Sequence, residues 1–316
     1  MPKDGVDPLT ASSLTTIRWR LAQLSAHLVV ALIALVVIGG ATRVMEAGLA
    51  CPDWPLCFGS FLPGRQMNLQ VFLEWFHRLD AFVVGMALLV QLAAAVVWRS
   101  RLPAWLPWFS AVLVLMVVLQ GGLGALTVLQ LLPSGIVTAH LALALTLVAM
   151  VSALAQRLLA SPGGASPLWW RLMGGTALIA VVGQCLLGAR MATSWAAQRC
   201  LAGGEACQWL NWHRLTATPV ACTVIAFALT ALVIGGWPRR QWPFLLAAIG
   251  LVIFQITLGV FTLRLGLSQP AVTVSHQLVA AILVALISAL TFRTPEAEPL
   301  PLSLLIEDSA LEQCHG

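Results

Sequence analysis

Four histidines at regular spacing are the residues of this chain best suited to chemistry. His77 and His140 are 63 residues apart, and so are His213 and His276, with 136 residues between corresponding members of the two pairs. Each is expected about one to two turns inside a long apolar segment. A histidine within a membrane is costly unless it is paired or ligated, so it indicates a functional site. A single one is more often a packing residue, but four at matching depth favour a metal or haem.

Haem suits this pattern better than a bare metal ion, because each half of the chain offers only two imidazoles. Zinc sites usually gather three or four protein ligands in one place. Haem iron, by contrast, takes axial imidazoles, and facing helices of a bundle can hold a cofactor between them. We therefore predict one porphyrin between His77 and His140 and another between His213 and His276.

Arg78 and Arg214 directly follow the first histidine of each pair. Haem propionates are anionic and favour the membrane interface, so the two guanidinium groups are candidate propionate partners. Snorkelling toward phospholipid head groups is the alternative role for an arginine at this depth.

One acidic residue distinguishes the two halves. Glu74 stands three residues before His77 and shares its helix face, whereas the corresponding residue of the second half is Leu210. A carboxylate in an apolar cleft can act as a general base or stabilise positive charge. We predict chemistry in the first half and an electron-carrying haem in the second. Accepting a hydrogen bond from Arg78 or from a loop backbone is the alternative role for Glu74, and Asp80 is not favoured for catalysis.

The segments that must position these residues are membrane helices. Hydrophobic residues occupy 59% of the 316 positions and charged residues only 9%, against about 25% charged residues in soluble domains. Apolar stretches of about 20 residues can cross a bilayer, and without water their backbone must be helical. The eight predicted spans cover about residues 22–42, 71–96, 105–130, 136–157, 171–190, 209–235, 243–264 and 271–292.

The spans repeat as two halves of four helices. The motif Q-x-x-L-G-x-x-T occurs at 120–127 and again at 255–262. A parallel repeat predicts two bundles related by an axis along the membrane normal. The predicted fold class is thus an all-α integral membrane protein, with eight transmembrane helices as two pseudo-symmetric four-helix bundles. Its predicted parts are a cytoplasmic N-terminal arm (1–20), a first bundle (21–157), a cytoplasmic linker (158–170), a second bundle (171–293) and a cytoplasmic tail (294–316).

The positive residues predict the orientation. Ten of the 17 lysines and arginines fall on the side of the termini, so the positive-inside rule places both termini in the cytoplasm. The lack of an extended N-terminal targeting segment favours a bacterial inner membrane over a mitochondrial one. The net charge of +5 reflects this topological bias. No basic run with interleaved aromatic residues indicates nucleic-acid binding.

Four of the seven cysteines lie in two loops predicted on the outer side. Cys51 and Cys57 form one close pair, and Cys200 and Cys207 form the other. Because the compartment outside a bacterial inner membrane is oxidising, we expect each pair to be a disulfide. Free thiols or a metal clip are the alternatives, since spacing alone does not decide between them.

Taken together, these motifs resemble the bacterial and mitochondrial haem A synthases over about residues 20–293. The resemblance rests on G-G-A-T-R at 39–43, C-P-D-W-P-L-C-F-G at 51–59, E-W-F-H-R at 74–78, Q-G-G-L-G-x-x-T at 120–127 and the four histidines. It implies a haem b cofactor held by His213 and His276, and a substrate porphyrin flanked by His77 and His140.

The activity implied by this resemblance is oxidation of haem O. The family converts the C8 methyl group to a formyl group through a hydroxymethyl intermediate, which yields haem A for cytochrome oxidase. The resemblance makes Glu74 the catalytic glutamate and Cys51 with Cys57 a disulfide, while the second cysteine pair varies in the family. Expected partners are haem O, membrane lipid and an unidentified electron acceptor. Haem O synthase is a partner by pathway logic alone.

Two other functions fit part of the pattern. A di-haem cytochrome b carrying electrons from quinol explains the four histidines but not Glu74 in one half only. A transporter is suggested by the parallel repeat and would be colourless. The sequence leaves the oligomeric state open, including a homo-oligomer.

Overall fold

The structure is a computed structural model that describes residues 8–160, 164–193, Cys200 and 207–295, with side chains from Thr16 onward. Across these residues the regular secondary structure is helical. Eight of the described helices are long and apolar enough to cross a membrane, which confirms the predicted all-α membrane class. They are α1 (Pro8–Val44), α2 (Leu69–Val97), α3 (Leu106–Leu129), α4 (Ser134–Leu159), α5 (Leu168–Thr193), α6 (Gln208–Ile234), α7 (Trp242–Arg264) and α8 (Pro270–Phe292).

Helix α1 begins at Pro8, well before the apolar span predicted from residue 22. Most of the predicted arm is therefore part of this helix. Arg18, one of the ten cations predicted on the side of the termini, reaches the end of α4: its Nε donates to the carbonyl of Leu158 at 2.9 Å, and its Nη2 donates to that of Arg157 at 3.1 Å. A cation there satisfies carbonyls that a helix end leaves unpaired. Residues 1–7, linker residues 161–163 and tail residues 296–316 lie outside the described residues.

Each set of four helices closes into a ring. Helix α1 contacts α2 and α4, and α3 contacts the same two helices. Helix α5 likewise contacts α6 and α8, and α7 contacts those two. Between the two rings, α4 packs on α8 and α5, while α8 also packs on α1. Helices α4 and α8 therefore lie at the centre of the molecule.

Two buried serines join these central helices. The Ser152 hydroxyl on α4 donates to the carbonyl of Ala285 at 2.7 Å, and the Ser288 hydroxyl on α8 donates to the carbonyl of Ala149 at 2.6 Å. Donors and acceptors are each 136 residues apart, which is also the offset between the histidine pairs. Each of the two helices thus donates an equivalent serine hydrogen bond to a backbone carbonyl of the other.

Two arginines make reciprocal contacts at the helix ends nearer the histidines. Arg43 at the end of α1 donates to the carbonyl of Ala192 on α5 at 2.6 Å. Arg190 on α5 donates to the hydroxyl of Ser134 at the start of α4 at 2.9 Å. Arg43 is the last residue of G-A-T-R at 40–43, and Arg190 is the last residue of the matching G-A-R at 188–190. Each half therefore contacts the other at the helix ends nearer the histidines.

Candidate functional site

A cavity of about 1740 Å³ runs through the interior and receives side chains from all eight helices. Pockets for small ligands usually measure about 300–1,000 Å³, so this cavity has room for more than one of them. The four predicted histidines all line it: His77, His140, His213 and His276. Residues spread over 200 positions of sequence therefore meet around one space.

The second pair has its ring nitrogens in defined contacts. The rings of His213 and His276 are nearly perpendicular, with centroids 6.5 Å apart. Nδ1 of His213 is 3.2 Å from the carbonyl of Gln184, and Nδ1 of His276 is 3.1 Å from that of Gln255. An imidazole that donates from Nδ1 to a carbonyl keeps the Nε2 lone pair for a metal; at His276 the side-chain Nε2 of Gln255 lies 3.4 Å from that atom. This pair is suited to bind iron from two sides.

The first pair differs in its Nδ1 contacts. The carbonyls of Leu35 and Gln120 are the corresponding neighbours of His77 and His140. Neither Nδ1 atom, however, has a partner among the described residues that meets hydrogen-bond geometry. The Gln120 side chain instead donates to the backbone carbonyl of His140 at 3.0 Å. The two pairs thus differ in their Nδ1 contacts: those of the second pair are 3.1 and 3.2 Å long, and those of the first pair do not meet hydrogen-bond geometry.

Each of the four rings packs against a glycine of a neighbouring helix. A methyl group added to any of these glycines would lie against the ring Cε1 atom, in two cases closer than 3.0 Å, a separation that real Cβ atoms essentially never show. The distances from the added Cβ are 2.8 Å for Gly39 and His77, 3.4 Å for Gly124 and His140, 2.9 Å for Gly188 and His213, and 3.1 Å for Gly259 and His276. These glycines set where the imidazoles can lie.

We expect Gly188→Ala to reduce haem bound at His213, because the new methyl group would push the ring out of position. Disturbing a group that orients a metal ligand costs about 10–100-fold in metal affinity. The measurement is haem absorbance per polypeptide in the purified protein. Gly183→Ala on the same helix is the control, since its Cβ would meet nothing within 4 Å. Equal haem loss in both variants would contradict this role of Gly188.

Glu74 is buried, with 4% of its surface exposed, and it also lines the cavity. Its Oε2 accepts a hydrogen bond from the backbone N–H of Cys51 at 2.8 Å. Its Oε1 pairs with Nη2 of Arg78 at 2.5 Å. These contacts match the alternative role that the sequence suggested, and they place a carboxylate at the cavity wall near His77. Leu210, the residue of the second half that corresponds to Glu74, also lines the cavity.

Arg78 makes contacts that neither of its predicted roles included. Its Nη1 donates to the carbonyls of Asp53, at 2.6 Å, and of Leu56. Its guanidinium therefore holds the loop between α1 and α2 in place. Arg214 also lines the cavity, but it is exposed and has no hydrogen-bond partner among the described residues. Of the two arginines, Arg214 is the better placed to receive a propionate.

The loop between α1 and α2 (residues 45–68) closes the cavity beside Glu74. Cys51 and Cys57 form a disulfide in it, with Cα atoms 4.8 Å apart. The carboxylate of Asp53 accepts hydrogen bonds from the N–H groups of Gly59 and Phe58 at 2.7 and 2.6 Å. These bonds, that from Gly59 first, lower the pKa of Asp53 below its ordinary value of 3.8. The loop therefore has its own local framework.

The remaining predicted residues lie apart from the cavity. Cys200 and Cys207 are also at disulfide distance, with Cα atoms 5.6 Å apart; residues 201–206 between them lie outside the described residues. Asp80 is half-buried on α2 and does not line the cavity. Nδ1 of His27 is 2.8 Å from the carbonyl of Gln23 on its own helix, consistent with a structural role.

The donor set fits a porphyrin. Among the described residues, no three His, Cys, Asp or Glu side chains gather as a metal site, so an ion here would need ligands from another source. A porphyrin brings four equatorial nitrogens and leaves two axial positions, which is what a pair of imidazoles can fill. The glycines beneath the rings leave no side chain between imidazole and helix backbone.

Comparison with known proteins points in the same direction. Residues 22–288 match the family model COX15-CtaA, described as cytochrome oxidase assembly protein. The chain is 31% identical to Heme A synthase of Sphingopyxis alaskensis over 327 residues, covering 84% of this chain and 89% of that protein. It is 27% identical to Heme A synthase of Rhizorhabdus wittichii, covering 80% and 87%. Heme A synthase of Shewanella oneidensis is 28% identical over 53% of this chain and 56% of its own.

Proposed function

The chain belongs to the COX15-CtaA family of cytochrome oxidase assembly proteins, and we propose that it is an oxidoreductase that converts haem O to haem A. Relatives named Heme A synthase support the reaction. The observation that carries the proposal is the cavity itself, in which two histidine pairs meet and a carboxylate accompanies only one of them. An oxidation of one porphyrin with electrons leaving through another needs such an asymmetric pair of sites.

We assign the substrate to the first half and the cofactor to the second. His77 and His140 would flank haem O, while His213 and His276 would hold haem b. Fixed Nδ1 contacts in the second pair suit a resident cofactor, because outer partners strengthen metal ligation. The unpartnered Nδ1 atoms of the first pair suit a substrate that must enter and leave. When bound, haem b would supply an electron acceptor close to the substrate.

The two halves would then be pseudo-symmetric four-helix bundles, with residues 21–157 forming the substrate bundle and 171–293 the haem b bundle. The reciprocal serine contacts between α4 and α8 support this division. So do the four imidazole–glycine pairs, two in each ring of helices. Arg214 is the proposed propionate partner, and Arg78 is proposed to stabilise the loop above the substrate.

In this mechanism the residues of the chain orient the substrate and move protons. His77 and His140 hold the porphyrin, and the α1–α2 loop with its disulfide excludes water from above. Water supplies the oxygen: Glu74 takes a proton, or stabilises developing positive charge, as water attacks the oxidised C8 methyl carbon to give the hydroxymethyl group. Loss of two further electrons and two protons gives the formyl group, and the electrons of both steps go to the external acceptor. Arg78 positions Glu74 through their 2.5 Å contact. Preorganisation of this kind holds the carboxylate in place before the reaction begins.

We further propose that the protein lies in a bacterial inner membrane with both termini in the cytoplasm. The eight apolar helices support membrane insertion, and the distribution of arginines supports the orientation. With this orientation, both cysteine pairs face the oxidising compartment, where disulfides persist. An electron acceptor would approach the second bundle.

The deciding experiment is haem extraction with mass-resolved chromatography from cells that make haem O, with and without this protein. We expect haem A and the C8-hydroxymethyl intermediate to appear only when the protein is present. A protein that binds haem b at normal levels and leaves haem O unchanged would instead be the di-haem cytochrome b. A colourless purified protein would overturn both haem functions.

A further inference from the structure

We propose that a groove between α2 and α3 binds the farnesyl-derived tail of haem O and thereby sets which edge of the porphyrin faces Glu74. The inference rests on the proposed function and adds a second binding site to it. The α2–α3 groove is the part of the cavity lined by Phe82, Gly85, Met86 and Leu89 of α2 and by Val118 and Gly121 of α3.

The groove and the histidine site belong to one cavity, which His77 also lines. Positions 82, 85, 86 and 89 share one face of α2, which is turned roughly 80–180° around the helix axis from His77. At 1.5 Å per residue, Leu89 lies about 18 Å along the helix from His77. This length exceeds half the hydrocarbon thickness of a bilayer, about 15 Å.

The groove is open to the surrounding membrane. Phe82 is 66% exposed and Val118 is 64% exposed, yet both line the interior cavity. Met86 and Leu89 are also exposed on the same face of α2. A ligand lying between His77 and His140 can therefore extend an apolar chain sideways between α2 and α3 without crossing a polar layer.

Two positions of the groove carry no side chain. A Cβ added to Gly85 or Gly121 would meet nothing within 4 Å, although both glycines line the cavity. The corresponding residues of the second half are Ala221, 136 positions later, and Ile256, 135 positions later. At these two positions the second half therefore has side chains where the first half has none.

This difference matches the chemistry of the two porphyrins. Haem O carries a long isoprenoid chain, and haem b carries none. Since lipid is as apolar as the groove, transfer of the chain gains little from the hydrophobic effect, and the gain comes from packing. The main consequence is orientation, because a reacting group misplaced by about 1 Å can lose about 100-fold in rate. An anchored tail leaves one methyl group next to Glu74.

Filling the groove tests this inference. In Gly121→Phe, the new ring would occupy the floor of the groove, and Gly85→Leu would do so from α2. The control is Gly122→Phe, one residue away on α3, where an added Cβ also meets open space but the residue does not line the cavity. Conversion of haem O is measured for each variant. Added haem B, the same porphyrin without a tail as the bound haem b, serves as the competitive inhibitor. Absorbance of haem b in the second half reports folding.

We expect Gly121→Phe and Gly85→Leu to lower kcat/KM for haem O about tenfold or more, with the inhibition constant of haem B within about twofold of wild type. Gly122→Phe should leave both values unchanged. Unchanged kcat/KM in both groove variants would overturn the inference. So would an inhibition constant of haem B that rises as much as kcat/KM falls, or a loss of kcat/KM in Gly122→Phe as large as that in the groove variants. The proposed function is tested separately, by whether the wild-type protein converts haem O at all.

Discussion

Replacing Glu74 by alanine is expected to lower haem A production at least about 100-fold while haem b remains bound, because general acid–base groups contribute about 10²–10⁴-fold. The variant removes the only carboxylate of α2 that lines the cavity. It also removes the acceptor for the Cys51 N–H and the partner of Arg78. The measurement is haem A per cell together with haem b per purified polypeptide.

Glu74→Gln separates the two roles of this residue. The glutamine carbonyl can still accept a hydrogen bond from Cys51 or Arg78, so the loop is expected to keep its anchor. It cannot take a proton, so haem A production should still fall about 100-fold. Asp80→Asn, which changes a carboxylate on the same helix away from the cavity, should keep full production. If Glu74→Gln matched wild type with normal haem occupancy, Glu74 would be a loop anchor and the proton-transfer role would be wrong.

Removing one ligand of the second pair should have the other large effect. We expect His276→Ala, and equally His213→Ala, to lose haem b by more than about tenfold, since even an outer partner of a metal ligand is worth about 10–100-fold in affinity. Production of haem A should stop with it. The measurement is the absorption spectrum of the purified protein, normalised to polypeptide.

The first pair provides the matched comparison. His77→Ala should keep haem b and lose conversion of haem O, since the residue lies in the proposed substrate half. His27→Ala is the neutral control, because His27 is exposed and bonded only within its own helix. Loss of haem b from His77→Ala with retention in His276→Ala would reverse the assignment of the two halves.

The sequence by itself determined the class of the protein and the outline of its site. Apolar length and the lack of charge identify membrane spans, because the cost of exposing polar groups to lipid depends on local composition. Helical rise then predicted one depth for the four histidines. Comparison of the halves singled out Glu74 against Leu210. These inferences need only distances along the chain.

Only the tertiary structure decided which groups touch. The sequence offered two roles for Glu74 and two for Arg78, and the folded chain pairs them with each other and with the α1–α2 loop. It also places a glycine of one helix under a histidine of another and leaves open space beside Gly85 and Gly121. Spacing along one helix specifies a face of that helix, but the neighbour packed on that face depends on all eight helices together. Contacts between distant residues therefore appear only once the bundle is assembled.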